Sequence, residues 1–549
     1  MIYICVMYIR ITTNQKGQSY YHLVESYRHE GKVRQRTLAS LGKVEEGKLE
    51  QLQEAISKHI DTFNIISLAK HIDISKAYIL GPLLILERIF DYLGLNKAIK
   101  QVQGAHEKLS FDLHKTIFSM IASRFIQPVS KLGLYDRWLE RTYPVMIDHD
   151  TALHHLYRTL DLLSDHKEYM ENYLYSYKKD LFNMELDVVL YDLTTLRFES
   201  TVKEPGALRQ FGYSKERRND CTQVVLGLLT DTEGIPLGFE VYPGNTFEGH
   251  TLQGIVEKMK NKFQVKRFIF VADRGLFSEA NLQILEKEGG EYIVGMRMGT
   301  IPEEEQEKFY DTSNYKFINE NLAVYETTYK ERRMVITWSG ARAKRDRKAR
   351  EEVIEKIKKK LSAKKPKFKE LITHQGYKKY LQIAGNTSIT INDRAILEET
   401  KKDGFFAIIT NVPQEVLDPG KLVTQYKQLW RVEDTFGEFK GTLGSRPVFH
   451  WTDKRIMGHL MICFLSLLCE SHLNKMLHDR LDGYQTKATK KKIIAQRPLT
   501  AVRAMEELTE VLAIPVDIKG NRIWVRTDIP ANAQKLFKAM QMKIPPKIL

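Results

Sequence analysis

Apolar and polar positions alternate in the first segments of the chain. YIRITT, SYYHLVESYR and KVRQRTLASL, separated by turn signals at Asn14 to Gly17 and at Glu30-Gly31, predict a small β-meander over residues 1–45. The period then changes. Over 46–183, LLILERIFDYL, LHKTIFSMIASRF and YRTLDLL repeat their apolar residues at steps of three and four, which predicts a helical region. From 184 to 300 short apolar runs return as LDVVLY, TQVVLGLL, PLGFEVY, KRFIFVAD and EYIVGMR, with the helical TLQGIVEKMKNKF between the third and fourth. Three strands, a helix and further strands in that order suit a mixed sheet with helices on its faces. Residues 301–420 add a hairpin at LAVYETTYKERRMVITWS, a charged helix and the strand FFAIITN. An amphipathic stretch and a long apolar helix around 453–477 fill 421–478, and 479–549 is expected to be basic and helical.

The amphipathic stretch is YKQLWRVEDTFGEFK. On one helix, Tyr426, Trp430, Glu433, Gly437 and Lys440 share a narrow stripe, while Leu429, Val432, Phe436 and Phe439 form an apolar stripe beside it. A helix so built anchors by one side and keeps a polar edge, which a solvated face would also explain. Charge sharpens the picture. Lys plus Arg number 84 against 69 Asp plus Glu, a net +15, which points to a polyanionic partner. Arg342 to Glu370 alone holds fourteen basic residues against five acids, enough to track phosphates. The longest apolar run, LMICFLSLLC, is too short to span a bilayer, and MIYICVMYIRI lacks the features of a signal peptide, so no membrane partner is expected. Four cysteines with neither a CxxC pair nor a disulfide framework suit a reducing cytoplasm and argue against zinc.

Two carboxylates follow apolar strand runs, Asp192 after VVLY and Asp273 after FIFVA. Strand ends present ligands rigidly, although an Asp there also serves as a turn or helix cap. With Glu433 on its polar stripe they make a candidate three-carboxylate cluster, a donor set for Mg²⁺ or Mn²⁺. Two such ions can activate a hydroxyl and stabilise the 3′ oxygen leaving a phosphodiester.

YDLTTLRFES, VADRGLFSEANL and YKQLWRVEDTFGEFK resemble the three signatures of bacterial DDE insertion-sequence transposases, in order and with their acids 81 and 160 residues apart. The branch resembled has a Y-x2-R-x3-E-x6-K signature. Its longer members are also resembled by VESYRHEGKVRQRTLASLG, GYSKERRND, EVYPGNTFEGHT and RPVFHW. The resemblance implies a mixed α/β fold: an RNase H-like catalytic core in two parts, 184–300 and 421–478, interrupted by a largely β insertion at 301–420. The meander and the helical region precede it, the latter either a packing domain or a DNA-end-binding one. It further implies that Asp192, Asp273 and Glu433 bind two Mg²⁺ ions, Mn²⁺ substituting, and that Tyr426 and Lys440 touch DNA. Trp430, Arg431, Arg274, Thr194, Lys215, Arg217 and Arg218 are further DNA-contact candidates. Leu429 stands where the signature has Arg, which leaves the branch's hairpin intermediate open. The implied partners are double-stranded DNA, as terminal inverted repeats and as target, and a second copy of the chain in a synaptic complex within the bacterial cytoplasm. The alternatives are an inactive DNA-binding relative and a structure-selective nuclease on the same fold.

Overall fold

The alternating N-terminal segments form an antiparallel sheet of β1 (Val6–Thr13), β2 (Ser19–His29) and β3 (Lys32–Lys43). Tyr21 and Val24 of β2 are almost fully buried, and the Asn14 side chain closes the first turn by accepting the Lys16 and Gln18 amides, each at 3.0 Å. These and all following coordinates come from a computed structural model. It describes residues 6–29, 32–43, 76–182, 188–199, 206–213, 220–247, 249, 251–257, 259, 268–276, 278–363, 371, 373–384, 388–481, 499–518 and 521–549. Lys215, Arg217, Arg218, the basic patch at 489–497 and the first part of the expected helical region lie outside the described residues. Two compact units divide the chain, one of residues 1–77, 513–527 and 545–549, the other of 78–512 and 528–544.

The second unit begins with β4 (Tyr78–Ile79) and the helices α1 (Gly81–Tyr92), α2 (Leu95–Gly104), α3 (Leu113–Ile126), a single turn α4 (Lys131–Gly133), α5 (Leu153–Asp165) and α6 (Lys167–Phe182). Asp112 caps α3 by accepting the Lys115 amide at 2.9 Å. The apolar runs then give β5 (Val188–Arg197), β6 (Gln223–Thr230), β7 (Pro236–Pro243), α7 (Leu252–Glu257), β8 (Ile269–Ala272), α8 (Glu279–Lys287) and β9 (Glu291–Met296). Strands β5, β6 and β7 are antiparallel; β8 joins β5 in parallel and β9 joins β8 in parallel. Buried Lys167 ties α6 to the β7 edge, its Nζ donating to Glu171 Oε2 at 3.0 Å and to the Phe239 carbonyl at 2.8 Å.

The next stretch, expected to be a largely β insertion, mixes strands with helices. It comprises α9 (Glu303–Phe309), β10 (Lys316–Asn319), β11 (Leu322–Tyr329), β12 (Arg332–Ser339), α10 (Gly340–Leu361), α11 (Gln375–Lys378), β13 (Leu381–Ala384), β14 (Ser388–Ile391), α12 (Asp393–Lys401) and β15 (Phe405–Thr410). The edge of β9 receives the strands of this stretch. Its free backbone groups pair with β15, from Ala407↔Met296 to Thr410↔Ile293, and β12, β11 and β10 continue outward into one nine-stranded sheet. Strands β11 and β12 turn through Lys330 and Glu331, both at positive φ (49° and 65°), as two-residue hairpins require. Helix α10 is held by a buried pair, Arg350 to Asp403, at 2.5 and 2.6 Å.

The chain ends with α13 (Pro419–Lys427), α14 (Trp430–Lys440), α15 (Asp453–Arg480), α16 (Ala501–Leu508), β16 (Leu512–Ile518), β17 (Asn521–Arg526) and α17 (Ala531–Ala539). Helix α15 extends the apolar run to 28 residues and would pass for a membrane span by length and composition, yet most of its apolar window is buried inside the protein. It packs against α3, α5 and β7. Gly458 permits the contact with α5, since a Cβ there would lie 2.0 Å from the Leu160 carbonyl oxygen. The helical expectation for the C-terminal region is corrected by the β16–β17 hairpin, whose alternating residues pair from Ala513↔Arg526 to Ile518↔Asn521.

Candidate active site

Strand register brings the two aspartates together. Tyr191 of β5 pairs in parallel with Ala272, the last residue of β8, so Asp192 and Asp273 come next on neighbouring strands and on the same face of the sheet. The opposite face, that of Val189, Tyr191, Leu193, Phe270 and Ala272, is sealed into a core with α7 and α8. Asp192 is not at a strand end as expected. Strand β5 continues to Arg197 because β6 keeps pairing with it, and only β8 stops. Asp192 is half-buried and its Oδ1 accepts the Leu193 amide at 2.7 Å. Asp273 is exposed; it does not cap α8, a role taken by Ser278.

Helix α13 lies over β8 and β9, and α14 over β5 and β6. The connection at Gln428–Leu429 therefore crosses the seam from which the aspartates emerge. The stretch read as one helix is two, because the Arg431 and Val432 amides donate three residues back, to Gln428 and Leu429, and tighten the turn. Leu429, at the position of the signature Arg, is buried in that crossing. Tyr426, at the end of α13, donates its hydroxyl to Asp273 Oδ1 at 3.3 Å. Burial and then the Asp273 charge push the Tyr426 phenol well above its usual range, with Arg342 and Arg274 opposing, so it remains a donor.

Of three residues around Tyr426, Phe406 and Gly295 escaped the sequence reading and Arg342 was read only as part of the basic stretch. Phe406 packs on the Tyr426 ring, with centroids 4.9 Å apart, and the Arg342 guanidinium covers Phe406 at 4.9 Å. Gly295, beside Asp273 in the sheet, leaves the space for the hydroxyl, since a Cβ there would lie 2.3 Å from it. An isolated glycine inside the strand run EYIVGMR was the available signal, as it marks close approach of another group.

Glu433 and Gly437 are exposed on α14, Lys440 is half-buried at its end, and Val432, Phe436 and Phe439 are buried. Among the described residues no three His, Cys, Asp or Glu side chains are gathered closely enough to hold a metal ion, so the structure brings together Asp192, Asp273 and Tyr426 but not Glu433 with them. Thr194 is buried two residues beyond Asp192 on the same strand face, and Arg274 is exposed in the turn after Asp273. Arg431 points elsewhere. Its Nε donates to Gln428 Oε1 at 2.7 Å and its NH1 to the Glu233 carbonyl at 3.3 Å, under which arrangement it also covers the half-exposed Trp430.

Residues 183–469, more than half of the chain, match the transposase DDE domain. Residues 9–64 match the N-terminal domain of the IS1634 family transposases. The chain belongs to the DDE transposases of insertion sequences. A solved piggyBac transposase synaptic complex with hairpin DNA is similar with a TM-score of 0.36 and 10% identity, covering 78% of this chain and 79% of that one, too distant a likeness to carry an argument. No curated relative matches the chain.

Proposed function

We propose that this transposase binds the terminal inverted repeats of its own element as a homodimer, cleaves a phosphodiester at each end and joins the 3′ ends to target DNA. The observation that supports this most is the register Tyr191↔Ala272, from which Asp192 and Asp273 emerge side by side. The β7-β6-β5-β8-β9 order, three antiparallel strands followed by two parallel ones, supports reading the sheet as an RNase H-like core, with β15, β12, β11 and β10 as its extension.

The donor set suits a hard divalent cation. It is all oxygen, Asp273 forms no ion pair among the described residues, and Glu433 is exposed on the helix over β5. Asp192, Asp273 and Glu433 would hold Mg²⁺ or Mn²⁺, two ions in all. Such ions, when bound, lower the pKa of an attacking water or hydroxyl and neutralise charge on the leaving 3′ oxygen. The protein's own part is positioning. Tyr426 fixes the orientation of the Asp273 carboxylate, and the sheet fixes its distance from Asp192. Arg274, Arg342 and Lys440 supply positive charge for the phosphate backbone at the rim. In cleavage the water oxygen bonds to phosphorus as the bond to the 3′ oxygen breaks; in joining, the freed 3′ hydroxyl attacks a target phosphodiester and displaces its 3′ oxygen.

A labelled duplex carrying the element's terminal repeat, incubated with Mg²⁺ and supercoiled target, tests the proposal. Metal-dependent 3′ hydroxyls at the repeat boundary and joined products are expected. Cutting that ignores the repeat and yields no joined product would favour a structure-selective nuclease, and tight binding without cleavage an inactive relative.

A further inference from the structure

The stretch RPVFHW takes no part in the carboxylate site. The Val448 amide donates to the Arg197 carbonyl at 3.3 Å and Phe198 bridges to Val448, which ties the stretch to the end of β5, about 20 Å along the strand from Asp192 at ~3.3 Å per residue. Behind it opens a cavity of about 620 Å³, bounded also by the loop after α3, by Tyr157 and by the start of α15. Its lining includes Arg124, Lys131, Arg446 and Arg455 and no Asp or Glu.

Two of these cations, Arg124 and Lys131, are buried. Arg124 is 5% exposed and donates to the Leu443 and Gly444 carbonyls at 3.0 and 2.6 Å. Lys131 is 6% exposed, and among the described residues its ammonium has no hydrogen bond or ion pair. Burial and then the Arg124 charge pull it down to about 7. His450 is held down to about 3 by burial and by Lys131, Arg124 and Arg455, so it is neutral and adds no further positive charge. Arg124 is satisfied by the two carbonyls and Arg455 is paired with Asp161 at 3.5 Å, whereas buried Lys131 has no anion among the described residues; burying a cation unpaired is costly, and a negative ligand would offset that cost. Large aromatic surface sits beside this charge. Phe449 is 64% and Trp451 54% exposed, and the Trp451 ring is backed by the Arg209 guanidinium at 4.9 Å. Exposed rings next to a cationic cavity suit a flat base attached to a phosphate, and the volume accommodates one nucleotide.

We infer that this cavity is a nucleotide subsite, in which Lys131 and Arg124 take a phosphate and Trp451 and Phe449 stack the attached base. Naming an unstacked nucleotide of a DNA strand as the occupant rests on the proposed function; a free mononucleotide shares the chemistry.

The test uses the full-length Asp273→Asn protein, so that binding is read without cleavage. Tryptophan fluorescence and anisotropy would follow titration with inorganic phosphate, dAMP, a fully paired duplex and the same duplex with one unpaired nucleotide. The unpaired nucleotide is expected to tighten binding about tenfold. Lys131→Met, with its melting temperature checked, should abolish that gain; Trp451→Ala should abolish it and Trp451→Phe retain it. Tight binding of dAMP with no gain from the unpaired nucleotide would keep the subsite and overturn the DNA source. Phosphate binding as tightly as dAMP would overturn the base-stacking role, and equal behaviour of the Asp273→Asn protein with and without Lys131→Met, both folded, would overturn the subsite. Cleavage by the protein with Asp273 intact is scored separately, so loss of the subsite and loss of the transposase reading are distinguishable.

Discussion

Strand β5 carries two sites of opposite charge, and they are made differently. At its middle, Asp192 and its neighbour Asp273 reach the surface because one parallel partner strand ends while the antiparallel one runs on. At its far end, Arg197 and Phe198 hold a segment that closes over Arg124 and Lys131, both buried. The first site is an open ledge of oxygen donors with one hydroxyl donated to it. The second is a cationic hollow with aromatic lips. The first presents carboxylates and the second, among the described residues, is lined by cations and no Asp or Glu, and a metal-bound nucleic acid complements both. The comparison teaches that the end of one strand beside a continuing neighbour suffices to present carboxylates, whereas a buried cation needs surrounding helices to hold it.

The largest effect should come from the ledge itself. Asp192→Asn or Asp273→Asn should lower Mg²⁺-dependent cleavage by about 10³-fold while circular dichroism and melting stay near wild type. Gly295→Ala should come next, because the new methyl would meet the Tyr426 hydroxyl at 2.3 Å and Phe406 at 2.9 Å. A loss of stability of about 1–3 kcal/mol and a roughly hundredfold loss of cleavage are expected, by chemical denaturation and end-cleavage assay. Tyr426→Phe removes only the donor to Asp273, and about tenfold lower kcat is expected with little change in folding.

The hollow should respond to pH rather than to loss of chemistry. Lys131 in the folded chain sheds its proton near 7, whereas an unfolded lysine keeps it to about 10.4. Between those values the unfolded chain binds more protons, so this group adds stability as pH rises through that window. Lys131→Met should remove the gain: the wild-type minus variant melting temperature should increase by a few degrees from pH 7 to pH 10. The smallest effect is expected from Arg431→Ala, whose guanidinium serves the Glu233 turn; cleavage should change less than about twofold.

What could be read without coordinates follows the same division. Strand runs and the acids after them are local patterns, so β5, β6, β7, β8 and β9 and the placement of Asp192 and Asp273 beside apolar runs were legible. The pairing that sets the two acids side by side was not, since register depends on where β8 stops. The break at Gln428–Leu429 was hidden because both halves keep helical spacing. The hairpin β16–β17 was missed because its alternating residues, Ile514, Val516 and then Ile523, Val525, sit between two helices and carry a proline, Pro515, unusual inside a strand. The cationic hollow was illegible for a different reason. Arg124, Lys131 and His450 come from segments up to about 330 residues apart, and each alone reads as an ordinary helix or loop residue.

The central claim is that Asp192, Asp273 and Glu433 hold divalent ions, and Mn²⁺ titration followed by electron paramagnetic resonance tests it most directly. Wild type should bind Mn²⁺ at sites that are weakened or lost in each of the folded variants Asp192→Asn, Asp273→Asn and Glu433→Gln, with Mg²⁺ competing. Identical Mn²⁺ binding in wild type and all three variants would contradict the account, and would leave the ledge on β5 as a feature of the sheet alone.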